Sequence, residues 1–201
     1  MRQKFNKHAT DEFFEKHHVY LSPKKLDLHG KVHLEIGSGK GKFITDIAKD
    51  FPLETFIALE INRHVAYYIA LKKEELNLEN LHIIVSSVDH LLEFIDENKV
   101  DHIYLNFSDP WPKAKHHKRR LSYPTYLSLY KKIMKPHALL EMRTDHQALY
   151  IASSFYIQEA FSKVMFDDDS EPFQYYSEYE LKKRPLGPIY YIKASVNDEL
   201  L

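Results

Sequence analysis

From Lys31 onward, short apolar runs alternate with stretches whose apolar residues recur at helical spacing, and this alternation limits the possible folds more than any other feature of the sequence. The runs are Val32 to Ile36, Phe56 to Leu59, Leu81 to Val85, Ile103 to Phe107 and Leu139 to Met142, which read as buried parallel strands. Between them, Phe43, Ile44, Ile47 and Ala48, then Val65, Tyr68, Ile69 and Leu76, then Leu91, Leu92 and Ile95, then Tyr126, Leu127, Tyr130 and Ile133 mark amphipathic helices. A further helical stretch follows Asp145 through Ala160, and Phe161 to Phe166 and Ile189 to Ala194 read as two late strands. The expected architecture is α/β: a doubly wound, mostly parallel seven-stranded sheet with helices on both faces. Asp167 to Pro188, polar and rich in Tyr and Pro, is expected to be a long loop, and loops of that length usually carry function.

Residues 1–30 are polar and basic with sparse apolar positions, so they read as an arm with room for one short helix and no fold of its own. Residues 31–201 read as one domain; 201 residues, 44% of them apolar, suffice for a single sizeable core. Lys and Arg (28) nearly balance Asp and Glu (29), so any affinity for nucleic acid has to come from local clustering. The absence of cysteine excludes a disulfide framework, a thiolate metal site and a cysteine nucleophile. Met1 to Tyr20 has no apolar core of the signal-peptide kind and no run is long enough to span a membrane, so the expected location is the cytoplasm.

The first strand runs into Leu34-Glu35-Ile36-Gly37-Ser38-Gly39-Lys40-Gly41 and then a helix. Glycines such as Gly37 and Gly39 permit positive φ and close backbone approach to a cofactor at a helix N-terminus. The spacing is G-x-G-x-G rather than the G-x-G-x-x-G of dinucleotide binders, and Glu35 sits two residues before the first glycine. A carboxylate there repels a pyrophosphate but suits the ammonium and sulfonium of S-adenosylmethionine. Glu60 ends the second strand, where doubly wound folds place an acid for ribose hydroxyls, and Asp89 lies just past the third. Either acid alone is equally well read as a helix N-terminal residue favoured by the dipole.

The fourth strand ends in Asn106-Phe107-Ser108-Asp109-Pro110-Trp111-Pro112-Lys113. Prolines on both sides of Trp111 restrict the backbone, which presents Asp109 and the sole tryptophan rigidly. A carboxylate accepts hydrogens from the N1 and N2 edge of guanine, and a fixed indole stacks on a base; the plainer reading of Trp111 is a plug in the loop. Lys113, Lys115, His116, His117, Lys118, Arg119 and Arg120 then form the densest positive charge in the chain, either a phosphate-binding run or solvated surface. The paired histidines have no carboxylate or cysteine spaced to share a metal ion with them, so no metal site is expected.

These motifs, together with Thr144-Asp145, Ser177-Glu178-Tyr179-Glu180 and Gly187-Pro188-Ile189-Tyr190, resemble those of the bacterial tRNA (guanine-N7)-methyltransferases, over residues 31–194. The Asp-Pro-Trp-Pro-Lys segment followed by Lys-Arg-Arg-Leu is the most specific part. The resemblance implies a Rossmann-like class I S-adenosylmethionine-dependent methyltransferase fold acting on guanosine 46 of the tRNA variable loop. It implies cofactor binding by Glu35, Glu60 and Asp89, with Asp109 catalytic and touching the cofactor pocket. It further implies tRNA contacts by Lys113, Asp145 and Ser177 to Glu180, with Lys115 to Arg120 lying on RNA. The chain departs from the family pattern at Ser108, at Ser177 and at His137-Ala138, where proline, threonine and a glycine pair are usual. Other readings are a methyltransferase of another RNA or of a small molecule, an inactive RNA-binding relative, or, disfavoured by its glycine spacing, a dinucleotide oxidoreductase.

Overall fold

The computed structural model describes residues 5–197; the first four residues of the expected arm and the last four of the expected domain lie outside them. The chain forms two compact units, one ending at Asp96 and the other beginning at Glu97. Among the described residues each unit holds four strands, eight rather than the seven expected.

In the first unit, α1 (Asp11–Lys16), β1 (Val19–Tyr20), β2 (Val32–Ile36), α2 (Lys42–Asp50), β3 (Thr55–Leu59), α3 (Arg63–Glu75), β4 (Leu81–Ile84) and α4 (Leu91–Phe94) follow in order. The strands lie as β1-β4-β3-β2, all parallel. Every residue of β2 and β3 is buried, as expected for strands covered on both faces. Leu34, Ile44, Phe56, Ile57, Ile69 and Ile83 form the fully buried centre of this unit.

The strand missed by sequence is β1, which comes from the arm. Its two residues are too few to show a period, yet Val19 and Tyr20 pair with Ile83 and Ile84. The expected short helix is α1, capped by the Thr10 hydroxyl, which accepts the Phe13 N–H at 3.1 Å. Phe14 anchors the arm: it is fully buried, and a fully buried Phe contributes about 1.5–3 kcal/mol. A further tie comes from the Leu26 N–H, which donates to the Phe94 carbonyl at 2.9 Å.

The second unit contains β5 (Val100–Asn106), α5 (Pro124–Ile133), β6 (Met134–Thr144), α6 (Gln147–Ala160), β7 (Lys163–Asp167), α7 (Glu178–Lys183) and β8 (Tyr190–Ser195). Its strands lie as β5-β6-β8-β7. The β5–β6 pair is parallel and the two late strands are antiparallel, β6 to β8 and β8 to β7. Pro124 opens α5, where a missing N–H costs nothing. Ile103, Leu105, Leu127, Tyr130, Leu140 and Ile192 are among its fully buried side chains.

The expected long loop before β8 holds a helix, α7, and a 3-10 turn, Arg184–Leu186. The signal was the S-x-x-E spacing of Ser177 and Glu180: the Ser177 hydroxyl accepts the Glu180 N–H at 3.1 Å, capping the helix. Six residues are too few for an apolar stripe to declare itself. Among the described residues, no helix is long and apolar enough to cross a membrane, and no group of three or more His, Asp or Glu is placed to hold a metal ion.

Candidate functional site

In the first unit the glycine turn hangs from the end of β3. The Leu59 carbonyl accepts the N–H groups of both Gly37 (2.8 Å) and Ser38 (3.2 Å), and the Ser38 hydroxyl closes back on the Glu35 carbonyl at 3.0 Å. Gly37, Gly39 and Gly41 all have positive φ, at 78°, 56° and 80°. At Gly41 packing adds a second demand, because a Cβ there would sit 2.9 Å from Ile69 Cγ2. Gly39 differs, since a Cβ built on it meets nothing within 4 Å. The turn is thus locked by backbone geometry while one of its α-carbons faces open space, the arrangement a closely approaching ligand requires.

Two of the three expected cofactor acids are buried, Glu35 to 2% exposure within β2 and Glu60 to 7% just past β3. Glu60 binds the glycine turn directly: its Oε2 accepts the Gly39 N–H at 2.9 Å, and its Oε1 accepts the Asn62 N–H at 2.9 Å. Asp89 lies exposed in the 3-10 turn Val88–His90 after β4, where the Ser87 hydroxyl donates to its Oδ2 at 2.6 Å. The structure therefore joins Glu60 to Gly39, while Asp89 is oriented by its own turn. Ser87 and Asn62 are supporting residues that sequence did not single out, although Asn62 stands at the N-cap of α3, where such residues are favoured. The donor set fits S-adenosylmethionine: buried carboxylates for its cationic groups and ribose, beside an open glycine turn.

In the second unit the turn after β5 is strained. Phe107 and Trp111, both bearing side chains, have φ of 52° and 41° and bracket Asp109. Asp109 is exposed, and among the described residues its carboxylate has no hydrogen-bond or ion-pair partner. Trp111 is half-buried, with the Arg119 guanidinium 5.0 Å above its ring and His116 edge-on at 5.6 Å, so one face of the indole is already packed. The basic run folds into the 3-10 helix Ala114–Arg119. Lys113, Lys115, Lys118 and Arg119 are exposed, and none has an ion-pair partner among the described residues; His116 and His117 are half-buried.

Asp145 and Tyr179, both expected tRNA contacts, come together near this turn. The Tyr179 ring packs on Phe107 at 5.3 Å, and its hydroxyl lies 3.5 Å from Asp145 Oδ2. Lys183, which sequence did not pick out, pairs with Asp145 at 2.9 Å and lies 5.1 Å over the Tyr179 ring. The hydrogen bond to Asp145, then that to Tyr179, holds the Lys183 ammonium above its usual pKa. Glu178 is half-buried at the start of α7, and Ser177 uses its hydroxyl as the helix cap.

Two of the expected RNA contacts turn inward instead. Arg120 is 2% exposed, with Nε donating to the Pro110 carbonyl at 2.9 Å and Nη2 to that of Trp111 at 3.4 Å. Burial lowers its pKa. Glu180 is also 2% exposed, accepting from Arg143 Nη1 at 3.0 Å and from Arg184 Nη2 at 2.6 Å. A side chain enclosed in this way cannot meet a phosphate or a base edge without leaving its partners. Arg143, which also reaches the Tyr175 carbonyl at 2.9 Å, ties the end of β6 to the segment before α7.

A family model described as "Putative methyltransferase" matches residues 29–188. The tRNA (guanine-N(7)-)-methyltransferase of Lacticaseibacillus casei is 41% identical over a stretch covering 66% of this chain and 65% of that protein. The enzyme of the same name from Latilactobacillus sakei is 45% identical, over 59% of this chain and 56% of that protein, so the chain matches less than two thirds of the length of these two relatives. The Staphylococcus haemolyticus enzyme is 37% identical over 87% of this chain and 85% of its own length. Among solved structures, an antibiotic-related methyltransferase superposes with a TM-score of 0.62 at 18% identity, covering 86% of this chain and 96% of that one. A SAM-dependent methyltransferase from Aquifex aeolicus gives 0.59 at 15%, covering 93% and 89%. These structural likenesses establish the Rossmann-like methyltransferase fold. With the family model spanning most of its length and a relative matched over most of both chains, the protein belongs to the tRNA (guanine-N(7)-)-methyltransferase family.

Proposed function

We propose that the protein is a cytoplasmic S-adenosylmethionine-dependent methyltransferase that methylates N7 of guanosine 46 in the tRNA variable loop. The observation that carries this reading is Asp109: an exposed carboxylate without a partner among the described residues, on a strained turn that leads straight into exposed cations. Bound S-adenosylmethionine supplies a methyl group on a cationic sulfur, which leaves as the neutral thioether S-adenosylhomocysteine. Glu35, Glu60 and Asp89 hold its cationic and hydroxyl groups, and the open Gly39 turn admits it.

Guanine N7 carries an in-plane lone pair with no proton at neutral pH, so no residue has to act as a base. The product guanine is a cation. Asp109 accepts hydrogens from the N1 and N2 edge, which aligns N7 and offsets the positive charge that grows on the ring. Lys113, Lys115, Lys118 and Arg119 meet phosphates and position the tRNA, while the base edge supplies selectivity.

The test is to incubate unmodified tRNA transcripts with the protein and methyl donor, then map chain cleavage at 7-methylguanosine. Site-specific cleavage is expected with the wild-type protein. The Asp109→Ala protein should retain S-adenosylhomocysteine binding and lose transfer. An absence of site-specific cleavage defeats the reading, and near-normal turnover by Asp109→Ala defeats the role of that residue.

A further inference from the structure

The cation that ends the basic run differs from its neighbours. Lys118 and Arg119 are exposed, whereas Arg120 is 2% exposed and is turned back onto the preceding loop. We propose that Arg120 is a positioning residue: its guanidinium clamps the Pro110 and Trp111 carbonyls and thereby fixes the turn that presents Asp109. The proposal deepens the functional reading above and rests on the role given there to Asp109.

Residues 108–112 have few hydrogen bonds to hold their backbone. Pro110 and Pro112 have no N–H, and among the described residues the only hydrogen bonds made to residues 108–112 come from Arg120. The turn is bracketed by Phe107 and Trp111 at positive φ, a conformation that persists only where the surroundings impose it. Both carbonyls gripped by Arg120 border this conformation, since they precede and follow the Trp111 α-carbon. Hydrogen bonds from an ionised donor are the stronger kind, and the planar guanidinium can serve both acceptors from one fixed plane.

Arg120 is itself well anchored. Its N–H donates to the His117 carbonyl at 3.0 Å, and its own carbonyl accepts the Tyr123 N–H at 2.9 Å, immediately before Pro124 opens α5. The side chain is therefore a strut between the start of a helix and the strained turn. Arg119, one residue earlier, packs on the outer side of the same turn through the Trp111 ring. Of two adjacent arginines, one supports the loop from within and the other remains available to the substrate.

Trp111 is the sole tryptophan, so its fluorescence reports on this turn alone. Arg120→Gln and Arg120→Lys are compared with wild type by Trp emission, acrylamide quenching, tRNA methylation kinetics and the salt dependence of tRNA binding. In both variants emission should shift and quenching should rise. The kcat should fall by about 10- to 100-fold, the penalty of a misplaced catalytic group. The KM for tRNA should stay within about threefold of wild type and the log–log salt slope should not change, because no phosphate contact is lost. Lys should fail like Gln, since it keeps the charge but not the fork.

The opposite pattern overturns the proposal: unchanged emission and kcat, with a raised KM and a slope reduced by about 0.7–0.9 in the Gln variant but not in the Lys variant, as for one lost phosphate contact. If far-UV circular dichroism shows Arg120→Gln unfolded, Arg120→Lys carries the comparison, and wild-type emission and kcat in that protein reject the clamp. Should the wild-type protein methylate no tRNA, the failure lies with the proposed function. The emission and quenching arm then still decides whether Arg120 holds the turn.

Discussion

Replacing Glu180 with alanine should unsettle the fold of the second unit, and the size of the loss follows from what encloses the carboxylate. Each of its oxygens accepts from a different arginine, Arg143 at 3.0 Å and Arg184 at 2.6 Å, and Arg143 is itself only 2% exposed. Removing one member of a buried ion pair costs about 3–5 kcal/mol, because the remaining charge stays desolvated without its counter-charge. Arg143 retains the Tyr175 carbonyl at 2.9 Å and the Phe173 ring at 4.5 Å, which places the loss toward the lower end, about 3 kcal/mol. In a chain of this size 1 kcal/mol moves Tm by roughly 2–4 °C, so the melting point should fall by about 6–12 °C. The assay is thermal melting by circular dichroism, with tRNA binding measured well below the transition of the variant. Arg143→Ala combined with Glu180→Ala should lose less than the sum of the two single changes, as members of one pair do. Tyr179→Ala serves as a control: its ring is exposed, so it should lower tRNA affinity more than Tm. A Glu180→Ala protein that melts within about 2 °C of wild type yet binds tRNA tenfold more weakly would refute the structural role and make Glu180 a substrate contact.

Three further outcomes are expected. Changing Lys115, Lys118 and Arg119 together to Ala should reduce the log–log salt slope of tRNA binding by about 2–3, and an unchanged slope would make the run mere solvated surface. Gly41→Ala and Gly39→Ala should both lower Tm, since the left-handed φ of each, 80° and 56°, costs a side-chain-bearing residue about 1–2 kcal/mol, but Gly41→Ala should lose more because its new Cβ also meets Ile69, while Gly39→Ala, with open space around it, should weaken S-adenosylhomocysteine binding by calorimetry. Wild-type affinity in Gly39→Ala would mean that the cofactor does not approach that α-carbon. Burial, then the nearby charge of Lys73, lowers the His82 pKa from 6.5 to about 4. The unfolded chain therefore takes up this proton first on acidification: the stabilisation is present above about pH 6.5 and is lost as pH falls toward 4, by at most roughly 3 kcal/mol. His82→Gln should flatten the decline of Tm across that window, and an unaltered profile would refute the assignment.

The strand–helix alternation was legible because buried strands and amphipathic helices each repeat a pattern over several residues. Features shorter than one period were not. The two residues of β1 pair with β4 through backbone groups that any sequence carries, and α7 is a single capped turn and a half with its apolar residues exposed. Among the candidate site residues, Gly39, Glu60 and Asp109 could be picked out because each residue type suits the place it holds: a left-handed turn with open space, a carboxylate at a strand end, and a carboxylate on a proline-stiffened turn. Lys183 was not, since an isolated lysine in a polar segment has no spacing to distinguish it from solvated surface.

Charge patterning also could not separate side chains that face solvent from those that are enclosed. Lys118, Arg119 and Arg120 read as one cationic run, yet the 3-10 helix stops at Arg119, and Arg120, its C-cap, has extended backbone with φ of −64° and ψ of 134°, so the run changes backbone geometry at its last residue. Arg120 is the one that points toward the protein, and the turn at 108–112, short of backbone hydrogen bonds of its own, is where its buried guanidinium finds acceptors. The same reasoning applies to Ser177 to Glu180: once Ser177 caps a helix, Tyr179 and Glu180 lie on different sides of it, one out over Phe107 and the other in between two arginines. In both motifs one side chain is exposed and its neighbour is enclosed by protein partners. A motif that must both present and support a group will therefore look more uniformly substrate-facing in sequence than it is in three dimensions.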